Sequence, residues 1–71
     1  MKVNDHVGWK WSGGLATGVV LEVCPERTEI ESKGKKIVRN GSQDDPAVII
    51  RHDDGARVLK LAHELQVIKE G

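Results

Sequence analysis

The chain has no phenylalanine and no tyrosine. Besides histidine, its aromatic residues are Trp9 and Trp11, two positions apart near the start. Two such rings are either the large pieces of a small core or part of a surface that grips a partner. Cysteine is equally scarce. Cys24 stands alone, which excludes an intramolecular disulfide and a cysteine-rich zinc site. A small domain without a staple holds together by packing alone, and this usage suits a reducing cytoplasm. An excess of one charge is missing too. Eleven basic and eleven acidic residues give a formal net charge of zero, which argues against tight, sequence-independent nucleic-acid binding. Long apolar runs are absent. The longest, "AVII" at residues 47–50, is far too short to span a membrane, and the first residues lack the apolar segment of a signal peptide. The expectation is a cytoplasmic protein with no membrane partner.

What is present reads as one domain of 71 residues. A chain this short buries roughly 60% of the surface its unfolded form exposes, leaving no room for a second core or a deep active site. Short alternating segments are separated by Gly and Asp turns. In "DHVGWKW", Val7, Trp9 and Trp11 share one face, which predicts a strand with one buried side. "SGG" at residues 12–14 is a turn or loop. In "LATGVVLEVC" the face carrying Thr17, Val19, Leu21 and Val23 is the better core face, and Gly18 marks a bulge or a close backbone approach. "TEIES" and "KKIVR" flank a hairpin turn with Gly34 at positive φ. "NGSQDDP", residues 40–46, predicts an exposed loop. "AVIIRH" and "ARVLK" form a second hairpin around "DDG". "LAHEL" suits one helical turn, and "QVI" a last short strand. The fold class is all-β: a small SH3-like barrel of about five short antiparallel strands, with one short helical turn near the C-terminus. Its expected core is Val7, Trp9, Val19, Leu21, Val23, Ile30, Ile37, Val48, Ile50, Val58, Leu61, Leu65 and Val67.

Enzyme and metal signatures fail one by one. A zincin helix starting at His63 needs a histidine where Val67 stands, "GKK" lacks the rest of a P-loop, and "HDDG" lacks the ligands of an EF-hand. Asp44–Asp45 and Asp53–Asp54 read as solvated turn residues. No cofactor and no metal is expected, and the chain reads as a binding module and not as an enzyme. The contact surface suggested for a protein or peptide partner is Lys10, Trp11, Ser12, Gly13 and Gly14, with the 40–46 loop as a possible neighbour. An alternative uses Lys33, Lys35, Lys36 and Arg39 to hold phosphates in weak nucleic-acid binding. Against it, Glu26, Glu29 and Glu31 precede this basic run and can neutralise it across the hairpin. A monomer is favoured, although Val20 and Ile49, on nominally outward faces, leave self-association open.

The segments "VNDHVGWKW", "ATGVVLEV", "SKGKKIVRN", "DDPAVIIR" and "RVLKLAHEL" occur in this order over nearly the whole chain. Together they resemble the hypervirulence-associated Tudor-like domains, a family of small bacterial and fungal proteins. The resemblance implies an SH3-like barrel of about five strands. Tudor domains read methylated lysine or arginine through a cage of several aromatics. With only two tryptophans here, the resemblance implies the fold and not that ligand.

Overall fold

A computed structural model describes residues 1–68. Two strands open the chain: β1 (His6–Trp11) and β2 (Gly14–Cys24). They pair antiparallel through a two-residue turn at Ser12 and Gly13, setting Val7 opposite Gly18, Trp9 opposite Ala16 and Trp11 opposite Gly14. The small residue Ala16 stands opposite the buried indole of Trp9. At Gly18 the space is fully used: an added Cβ would lie 2.5 Å from the Arg51 carbonyl oxygen and 2.7 Å from Ile50 Cγ2. The glycine therefore marks a close approach of β2 to its other neighbour, β5 (Ala47–His52).

The bulge lies further along. Val20 pairs with Ile50, but Glu22 pairs with Ile49, so Leu21 is an extra residue in the ladder. A bulge re-aims every following side chain, and the inward face passes from Ala16, Gly18 and Val20 to Val23. This corrects the expected face of β2. Val20 is fully buried, Val19 and Thr17 are half-buried, and Leu21 is exposed. Val20, read from the sequence as facing outward, thus lies inside the core, and Ile49 is half-buried.

β3 (Arg27–Ser32) and β4 (Lys35–Asn40) form a hairpin with Ile30 opposite Ile37. Its two turn residues, Lys33 and Gly34, both have positive φ, 53° and 76°. That is the backbone of a type I′ turn, whose twist matches the flanking strands. β5 returns as β6 (Arg57–Leu61), with Ile50 opposite Val58. A single 3-10 turn follows at Ala62–Glu64, its start held by the Leu61 N–H donating to Glu64 Oε1 at 3.0 Å. The last strand, β7 (Gln66–Val67), pairs with β1 at Val7 and Gly8.

The architecture is all-β and antiparallel. Five strands form one sheet in the order β6-β5-β2-β1-β7, and β3-β4 forms a second. The described residues form seven strands where the fold class expected about five, and their ladders make two sheets. The main core joins Val7, Trp9, Val20, Val48, Ile50 and Leu65 with Ala16, all from the large sheet and the segment leading to β7. Ala47 and Leu59 are buried as well. Of the expected core, Ile30, Ile37, Val58 and Leu61 are half-buried and Val67 is exposed, because the two-residue β7 lies on a sheet edge. No helix among the described residues is long and apolar enough to cross a membrane.

Candidate functional site

β1 carries one tryptophan into the core and the other out of it. Trp9 is 6% exposed and Trp11 58%. Both belong to the same strand face, but Trp11 is the last residue before the turn, beyond the reach of the large sheet's packed centre. Its ring folds back across the turn. A Cβ on Gly13 would lie 2.4 Å from Trp11 Cη2 and 2.6 Å from Cζ2, so the bare Gly13 backbone is the seat of the indole.

In front of the two tryptophans runs an open groove of 630 Å³ between the large sheet and the β3–β4 hairpin. Its floor is apolar: Trp9, Ala16, Ile37, Ala56 and Val58, with Trp11 at one end. Its rim is charged, with Lys33 and Lys35 from the hairpin facing Arg57 and Lys60 from β6, and Asp54 the only carboxylate among the lining residues.

The loop joining β5 to β6 is tightly held beside this groove. The Thr17 hydroxyl donates to the Asp53 carboxylate, tying the loop to β2. Ala56 N–H donates to Asp54 Oδ1 at 2.8 Å, and Asp54 N–H donates to His52 Nδ1 at 3.0 Å. An acceptor Nδ1 places the neutral ring's proton on Nε2. The His52 ring stands edge-on to Trp9, with centroids 5.5 Å apart. The Asp54 carboxylate is held below the ordinary range, first by the Ala56 N–H, then by His52, whose Nδ1 lies 3.1 Å from Oδ1 and adds a charge when the ring is protonated, and by Lys33.

The predicted residues divide between this groove and other surfaces. Trp11, Lys33 and Lys35, which the sequence divides between two alternative sites, all line it. Lys33 reaches Asp54 at 3.9 Å across the groove. Lys36 instead lies 3.4 Å from Glu29, which also holds Arg27 at 2.9 Å. These two cations keep the Glu29 carboxyl below its usual range, Arg27 contributing more. Cross-strand neutralisation therefore holds for Lys36. Arg39 lies 3.8 Å from Glu64, also away from the groove. Lys10 lines a separate hollow of 240 Å³ with Leu15, His63 and Leu65. Ser12, Gly13 and Gly14 form the exposed turn under and beside Trp11.

The 40–46 loop does not line the groove. Asp45 accepts the His63 N–H at 2.8 Å and the His63 ring Nδ1 at 2.6 Å, anchoring the loop to the 3-10 turn. Both bonds hold its carboxyl below the ordinary range, the backbone N–H first. His52, Asp54, Arg57 and Lys60 were not expected at the site. In the period-two pattern of "ARVLK" Lys60 shares the face of Val58 and Arg57 falls on the other, so no local signal joins them; their meeting with Lys33 and Lys35 at the groove is a tertiary fact.

Residues 5–65 match the family model described as the Tudor domain of hypervirulence associated proteins. The chain belongs to that family. No curated protein and no solved structure matches it significantly. The match spans every element from β1 to the 3-10 turn and stops short of β7. In this Tudor domain the ring paired with Trp9 is His52 and not Trp11, so the two tryptophans do not face each other as walls of a cage.

Proposed function

We propose that this Tudor domain is a cytoplasmic binding module, that its two sheets wrap as an SH3-like barrel, and that the groove between them receives a segment of a protein partner. The family supports a small binding module. The observation that carries the groove is Trp11. A large ring 58% exposed, seated on a glycine at the end of an apolar floor, has the character of an interface anchor. The reading of a binder and not a catalyst draws on His52 and Asp54. Both are engaged in holding the turn, which leaves neither as a poised acid or base at the groove. Cys24, free and half-buried, fits a reducing setting.

Trp11→Ala tests the site. The ring makes little of the core, so the variant keeps the wild-type melting curve while losing partners captured by the wild-type domain. Full retention of every partner by a folded Trp11→Ala domain would overturn the assignment.

A second reading draws on the meeting of Lys33 and Lys35 with Trp11: weak single-stranded nucleic-acid binding, with the lysines on phosphates and the ring under a base. It predicts an affinity that falls steeply with salt. An NMR titration with single- and double-stranded oligonucleotides at low salt decides it, and an unmoved spectrum ends it.

A further inference from the structure

The charge of the groove is at odds with the charge of the chain. Overall the protein is neutral, yet the groove is lined by four cations, Lys33, Lys35, Arg57 and Lys60, against the one carboxylate of Asp54. Two of the four are already shared. Lys33 has Asp54 at 3.9 Å, and Lys60 has Glu64 at 3.9 Å, four residues along. Lys35 and Arg57 have no carboxylate within ion-pair distance among the described residues. They line the groove from different sheets, Lys35 on β4 and Arg57 at the start of β6.

We infer that the groove selects an acidic peptide segment: an apolar side chain laid on the floor against Trp11, flanked by carboxylates that reach Lys35 and Arg57. This rests on the reading of the groove as a peptide site and adds the chemistry of its occupant. The lining suits carboxylates on both sides of a central apolar residue, because the two cations without an ion pair among the described residues come from different sheets. Arg57 offers a planar fork to a carboxylate, and Lys35 a point charge. A cationic segment meets like charges on both walls, and such juxtapositions are a strong source of rejection at interfaces. Nucleic acid fits less well. A strand-tracking site combines a continuous basic path with successive stacking rings. Here Lys36 and Arg39, which would extend the path, are turned to Glu29 and Glu64, and a single ring is exposed.

The test uses the full chain and three pools of short capped peptides with leucine at the centre. The flanks are acidic in one pool, uncharged polar in the second and basic in the third, with an oligothymidine as a fourth ligand. Heteronuclear NMR follows the Trp11 and Trp9 indole signals and the amides of Lys35, Arg57 and Val58. The acidic pool should move the Trp11 indole and these amides. Lys35→Glu and Arg57→Glu should each weaken that binding by roughly tenfold or more, with the Trp9 indole signal unchanged as the sign of an intact fold. Lys36→Glu, on a cation outside the groove, should leave it in place. If the uncharged or basic pool moves the same signals as strongly, the acidic selectivity is overturned while the groove remains a peptide site. Stronger shifts with oligothymidine than with any peptide overturn both in favour of nucleic acid. If no ligand moves the Trp11 indole or the groove amides, the selectivity and the site are both wrong.

Discussion

The two sheets of this domain are both built from antiparallel strands, yet they do opposite work. The large sheet and the segment leading to β7 supply every fully buried side chain among the described residues. The β3–β4 hairpin supplies none; its strands are half-buried at best, and its ends carry Arg27, Glu29, Lys33, Lys35 and Lys36. One sheet is therefore the body of the fold and the other a charged wall set against it. The contrast follows from strand composition. β5 is Ala-Val-Ile-Ile before it reaches a charge, which suits a central strand covered on both faces. β3 alternates charged and small or apolar residues throughout, which suits a strand with one face in water.

The sharpest way to break this contrast is to remove equivalent side chains from each sheet. Ile50→Ala, at a position with no exposure, should cost roughly 3–4 kcal/mol through lost burial and an unfilled cavity. A domain of this size has only roughly 4–10 kcal/mol in total, so the variant should stand close to unfolding. Ile37→Ala, half-buried on the hairpin, should cost about 1–2 kcal/mol. Urea unfolding followed by tryptophan fluorescence reads both. Equal losses would mean that the hairpin is part of the core and that the groove closes in solution.

Glycine gives the next test. Gly18→Ala forces a methyl to within 2.5 Å of the Arg51 carbonyl, where backbone and not a flexible chain must move, and should cost about 2–3 kcal/mol. Gly34→Ala, in the hairpin turn, meets no atom within 4 Å but keeps a φ of 76°, and should cost about 1 kcal/mol. A larger loss at Gly34 would show that hairpin geometry, and not packing in the large sheet, limits stability.

These pairs also show what the sequence revealed. Alternation in "DHVGWKW" and the turns at Gly34 and Gly55 placed strands close to where they lie, since both signals are local. Gly18 announced a close approach for the same reason. The bulge at Leu21 left no such mark. Val19, Val20 and Leu21 are apolar in succession, so either face of β2 fits the core there, and only the register with β5 decides that Val20 is buried and Leu21 exposed. Leu59 was missed on similar grounds, because its burial depends on what packs over the second face of β6. The site was legible in its parts and not in its assembly. Trp11 and the lysines of the hairpin each stood out, but the two belong to different hairpins whose approach no local pattern encodes.

The smallest expected effect concerns acid. Asp45 and Glu29 both have carboxyls held below the ordinary range, so each contributes stability that is present above about pH 4 and lost as pH falls through its lowered folded value. Their bonds differ in reach. Asp45 ties a loop to a turn 18 residues away, through the backbone and the ring of His63, and so restrains the large sheet's entry into β5. Glu29 holds Arg27 on its own strand and Lys36 on the partner strand of a hairpin that closes locally. Asp45→Asn should therefore flatten the acid-unfolding curve of the whole domain, because one carboxylate whose protonation weakens the fold is gone. Glu29→Gln should leave that curve in place, since exposed pairs within a local hairpin contribute little. Circular dichroism against pH reads the two together, and a curve that moves with Glu29 but not with Asp45 would assign the domain's acid sensitivity to the charged wall and not to the body it leans on.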